Sequence, residues 1–164
     1  MHLYTVVKFL HIVAVIVCVG GLFARQLIRQ HANRSNDVHT LAALVQAAGR
    51  IDSLMVIPGM TAIMILGVIL ALIGGLPILG FLQGAAQNWL LAANILLIGI
   101  LAIIPTVLVP SGKRFEPLLH AALQQGVVTA ELRAAMNDRT VRLAHIYEEV
   151  ALVVITALMV TKPF

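Results

Sequence analysis

The chain has 164 residues, of which 60% are hydrophobic and only 11% charged. A water-soluble domain devotes roughly a quarter of its residues to charge, so this composition excludes an ordinary soluble surface and makes lipid the solvent. The formal charge of +4 then belongs to loops facing an anionic membrane surface, and nucleic acid is not needed to explain it.

The first apolar run follows Lys8 and continues to Arg25 without a small-residue cleavage site, so it reads as a retained span from Tyr4 to Ile28 rather than a signal peptide. Further spans are expected from Leu54 to Leu76, stopped by Pro77, from Trp89 to Val109, stopped by Pro110, and from Val141 to Val160, closed by Lys162 and Pro163. Each supplies close to the ~20 apolar residues that a ~30 Å hydrocarbon core requires. Pro58 and Pro105 fall inside spans two and three, where neighbouring helices must satisfy the freed carbonyls. The expected fold is all-α, with residues 1–164 forming one transmembrane four-helix bundle.

The connections differ in charge. The first, Arg25 to Asp52, holds Arg25, Arg29, Arg34 and Arg50, and the third, Ser111 to Thr140, holds Lys113, Arg114, Arg133 and Arg139. The second, Pro77 to Asn88, carries none. The positive-inside bias puts the two basic connections in the cytoplasm and both termini outside a bacterial inner membrane, with Trp89 as an outer-interface anchor. Within the third connection, "KRFEPLLHAALQQG" and "TAELRAAMNDR" read as separate amphipathic helices, with Gly126 between them and Thr129 as N-cap. The pairs Gly20-Gly21 and Gly74-Gly75 read as close-packing sites between helices. The single cysteine, Cys18, excludes an internal disulfide and a multi-cysteine metal site.

Polar residues inside the spans fall on stripes. Tyr4, Lys8, His11, Val15, Cys18, Leu22, Arg25 and Arg29 are spaced by threes and fours and share one face of span one. Arg142, His145, Glu149, Leu152 and Thr156 do the same in span four, with Glu148 beside the stripe. Asn94 adds a polar group to span three. Because lipid offers charges no partner, these stripes are expected to face each other. Lys8, Cys18, Arg25, Asn94, Arg142, His145, Glu148, Glu149 and Thr156 then form a polar interior. Glu148 and Glu149 have Arg25, Arg142 and His145 within reach near the cytoplasmic mouth. Two readings stay open for them, a structural ion pair and a proton, cation or ligand site. The rise of ~1.5 Å per residue separates His11 from His145 by about 15 Å along the membrane normal, so one iron is not ligated by both.

The opening "KFLHIVAVIVCVGGLF" resembles the first span of a group of small bacterial membrane proteins with a Leu-His motif and a Gly-Gly-Leu-Phe close. The group includes HemJ-type protoporphyrinogen oxidases, CopD-type copper-resistance domains, and a family of four-span integral membrane proteins classed as a domain of unknown function. The closing "LMVTKPF" is most similar to the last of these. Resemblance to the HemJ type implies haem b, with His11 as ligand, and a redox activity. The chain departs from that type in the sparse aromatics of span three, and from the copper proteins in lacking Met- and His-rich outer loops. The reading adopted is a non-catalytic accessory or assembly subunit, or a small permeation module. Its expected partners are the lipid bilayer and either subunits of a larger membrane complex or a second copy.

Overall fold

The computed structural model describes residues 2–164. Four of its helices are long and apolar enough to cross a membrane, and among the described residues there is no strand. Helix α1 spans His2–Arg34. It turns at Ser35 and Asn36 into α2, Val38–Ile51, whose N-cap Asp37 accepts the Thr40 amide at 2.7 Å. A π-helical turn, Asp52–Val56, joins α2 to α3, Ile57–Ile73. Helix α4, Trp89–Ile103, likewise passes through a π turn, Ile104–Leu108, into α5, Val109–Gln125. Short α6, Ala130–Met136, leads into α7, Arg139–Thr161.

Both π turns sit at the internal prolines. A proline inside an α-helix lacks an amide donor and collides with the carbonyl four residues back. Widening the turn relieves the collision, and the Ile57 and Val109 amides reach back five residues, to the Asp52 and Ile104 carbonyls. The expected stop at Pro110 therefore does not occur. Pro110 lies directly after the π turn, in the first turn of α5, and the helix continues through it. Pro117 lies on the exposed surface, where water can reach the carbonyl it leaves free. Span three and the first amphipathic stretch are one continuous helix. The first connection is likewise almost all helix, because α1 and α2 extend the spans beyond the apolar stretches.

Helices α1 and α3 pack in an antiparallel register set by small residues. A Cβ on Gly59 would stand 2.9 Å from the Cys18 Cβ, and one on Gly67 3.3 Å from the His11 Cε1. One on Gly74 would stand 3.5 Å from the Tyr4 ring, and one on Gly21 3.0 Å from the Met55 Cβ. Gly21 is thus a packing glycine as expected, whereas Gly20 meets nothing. The pair at 74–75 ends α3 instead. Gly75 adopts φ +60, and the Leu76 amide bonds the Ala71 carbonyl in a Schellman closure. In the second hairpin, Tyr147 of α7 lies directly against Gly99 of α4 and donates to the Leu96 carbonyl at 3.2 Å.

The cores follow from this layout. One, built on Cys18, Leu22, Val56, Met60, Ile100, Ala151 and Leu152, joins all four spans. A second, built on Val38, Leu41, Ala122 and Leu132, lies among the helix extensions at the basic end. Arg133 of α6 pins that end: its guanidinium donates to the carbonyls of Asn33 and Ser35, closing the α1–α2 turn. Gly126 and Thr129 take the expected capping roles, with the Leu132 amide bonding the Thr129 hydroxyl at 3.2 Å.

At the opposite, uncharged end, the Asn88 and Trp89 amides donate to the Phe164 carbonyl at 2.9 and 3.0 Å. The Lys162 ammonium stands 5.4 Å from the Trp89 ring centre. Trp89 is 2% exposed and packs with Ala71 and Leu90. It is a buried packing residue rather than the expected lipid-interface anchor.

Candidate functional site

The polar interior centres on Arg25, which is 4% exposed. It lies on the buried seam of α1 that runs through Val7, Ala14, Cys18, Leu22 and Ala32. Its Nη1 donates to Asp52 Oδ1 at 2.9 Å, and its Nη2 to Glu148 Oε2 at 2.6 Å. His145 Nδ1 lies 3.2 Å from the same Nη2 and 3.3 Å from Glu148 Oε2. One guanidinium thus ties together three stretches of chain: α1, the π turn before α3, and α7. Two carboxylates accepting from one arginine make the burial tolerable, because unpaired charges would be strongly unfavourable away from water.

The sequence stripes are only partly reproduced. Arg25, His145 and Glu148 come together, whereas Cys18 lies two turns away on α1 in the apolar core and Glu149 does not join them. His145 and Leu152 are two turns apart, and positions 148 and 149 straddle the line between them. Glu148 turns inward to Arg25, while Glu149 turns outward, half-buried beside Phe23, Val150 and Val153. The Glu149 Oε1 has no hydrogen-bond partner. Lys8 is exposed because Val7 occupies the seam at that level, and its long stem lets the ammonium reach the interface. Arg142 is exposed for the same reason, with Val141 on the seam.

Thr156 is exposed as well, and its hydroxyl bonds its own helix at the Leu152 carbonyl. Asn94 donates to the Ile78 carbonyl at 3.1 Å, pinning the uncharged connection rather than joining the interior.

Asp52 is the residue that sequence reasoning missed as part of the site. It was placed at the end of a loop. The available signal was Pro58: a proline six residues on marks a widened turn, which changes the face that the preceding residues present. Stepping along α1 from Cys18 to Arg25 also steps α3 back from Gly59 to Asp52, which sets the pair in register.

Above the cluster, toward the second core, lies a cavity of about 440 Å³. Arg25, Asp52 and His145 form part of its lining, with Arg29 and Arg142. Gln26, Gln30 and Asn33 add amides, and Val45, Phe115 and Met136 add apolar wall. Neither Arg29 nor Arg142 makes a salt bridge among the described residues. The His145 Nε2 is buried without a hydrogen-bond partner.

His11 stands apart from all of this. It is half-buried, with its ring against Gly67. Arg25, which touches His145, lies fourteen positions further along α1, so about 20 Å separates the two histidines. The edge of the ring carrying Cε1 and Nδ1 faces Gly67 of span two, and among the described residues no group of three or more His, Cys, Asp or Glu side chains could hold a metal ion.

A family profile described as "predicted integral membrane protein (DUF2269)" matches residues 5–163. The chain belongs to this family. No curated protein and no solved structure matches it. The match takes in the Leu-His opening and all of the "LMVTKPF" close but its last residue.

Proposed function

We propose that the protein is a non-catalytic accessory or assembly subunit of the bacterial inner membrane. The observation that carries this reading is Glu149. Its side chain lines a shallow depression with Phe23, Val150, Val153 and Val154, one position from the buried Glu148, and its Oε1 is buried there without a hydrogen-bond partner. An ionised carboxylate facing lipid costs up to about 3 kcal/mol, less near the interface. A neighbouring transmembrane helix that presents a hydrogen-bond donor relieves that cost. The permeation alternative has less support, because the polar groups around Arg25 end on the apolar cluster of Cys18, Leu22, Ile100 and Leu152.

Photo-crosslinking tests the reading. A photoreactive side chain at Val153, exposed next to Glu149, is expected to give a protein adduct in native membranes. Adducts to lipid alone overturn it. The same reading puts both termini outside and the basic end in the cytoplasm, from the one-sided placement of Lys and Arg. Cysteines introduced at Gln83 and Gln125, both exposed, are expected to label from outside only at 83. Labelling only at 125 reverses the orientation.

A further inference from the structure

We propose that the cavity at the basic end is a binding site for a phosphate group, carried either by a soluble molecule or by an anionic lipid headgroup. Charge bookkeeping is the first support. Arg25 is satisfied by Asp52 and Glu148, while Arg29 and Arg142 line the same cavity without an ion pair. Three arginines therefore face two carboxylates, and a positive charge is left over even with His145 neutral.

The second support is His145, a residue of the cavity wall that is 5% exposed, with its Nε2 buried and unpartnered. Arg25 Nη2 can only donate, so a neutral His145 that accepts this bond at Nδ1 carries its proton on Nε2. A protonated imidazole carries one there as well. In both states His145 keeps an N–H donor without a partner in the wall that Arg29 and Arg142 share.

The donor set selects the ligand. Guanidinium forks match the paired oxygens of phosphate and carboxylate. Here the donors come from two helices, with Arg29 on α1 and Arg142 and His145 on α7, so they approach from different directions. A tetrahedral anion with several oxygens meets such a set better than a planar carboxylate does. The volume lies in the range of small-molecule sites, roughly 300–1,000 Å³, and exceeds what inorganic phosphate fills. The amides of Gln26, Gln30 and Asn33 suit hydroxyl groups on the rest of the molecule.

The test uses the full chain in nanodiscs of zwitterionic lipid. One arm titrates inorganic phosphate and glycerol phosphate by calorimetry, with acetate as the carboxylate comparison. A second arm measures phosphatidylglycerol retained by native mass spectrometry after purification from mixed membranes. Saturable binding in the first arm assigns a soluble ligand, and retention in the second assigns a lipid headgroup. In whichever arm binds, Arg29→Gln with Arg142→Gln is expected to weaken it about tenfold or more, since two charge-assisted contacts are lost. Lys113→Gln, exposed and outside the cavity, is expected to leave it unchanged. Both arginines lie outside the Arg25 ion pairs, so the double variant should keep its fold, which its unfolding midpoint checks. Binding in neither arm overturns the proposal. So do equal losses in the double variant and the Lys113 control, or tighter binding of acetate than of phosphate.

Discussion

The two ends of the bundle are held by different physics. At the basic end, helices run past the apolar stretches and are joined by Arg25, Asp52, Glu148 and His145, then clamped by Arg133 on the α1–α2 turn. At the uncharged end, α3 and α4 are joined by a short irregular segment, with the Phe164 carbonyl capping α4 and Lys162 over Trp89. The first end depends on neutralising charge in a medium that cannot solvate it. The second depends on satisfying helix-end amides, which any nearby carbonyl can do. Removing one group should therefore be far more damaging at the basic end.

The sharpest way to break that comparison is Arg25→Met. It leaves Glu148, 3% exposed, without its cation, and a loss of about 3–5 kcal/mol is expected. Unfolding in mixed micelles measures it. Glu148→Gln keeps the Arg25–Asp52 pair and is expected to cost about 1–3 kcal/mol. Asp52→Asn should cost about 1 kcal/mol or less, because the Asp52 side chain is 34% exposed and water can replace part of the pair. Equal losses at Glu148 and Asp52 would show that depth does not decide the cost.

The smallest effect is expected at the other end. Lys162→Met removes a cation–π contact and should cost about 0.5–1 kcal/mol, read from the unfolding midpoint. The emission of Trp89, the single tryptophan, should shift at the same time. A loss as large as that of Arg25→Met would erase the distinction between the ends.

How far the sequence predicts each end follows from the same contrast. Four apolar segments and a one-sided charge distribution are composition effects, and composition is legible without coordinates. The pairing of Arg25 with Glu148 follows from depth plus periodicity, which brings both to one level. Periodicity could not choose between Glu148 and Glu149, because they fall on either side of the seam and only the positions of α1 and α4 break the tie. Pro110 misled because a proline reads as a helix stop, whereas the adjacent π turn absorbs the lost hydrogen bond. Asp52 was hidden behind the other π turn. Local widening of a helix leaves no composition signal beyond the proline itself. The role of Trp89 was hidden because its neighbours, Lys162 and Phe164, lie more than seventy residues away in the chain.

The division of Arg25's two counter-charges between α-helical hairpins also bears on how the chain is built during synthesis. Asp52 lies in the hairpin that emerges first, so a nascent chain ending before α4 already holds a matched pair and can rest in the bilayer without an exposed cation. Glu148 reaches the membrane last, three positions after its own hydrogen-bonding histidine. The 2.6 Å contact between Arg25 and Glu148 joins the two halves. That contact spans 123 positions of the chain, so it cannot exist until the last span is in place.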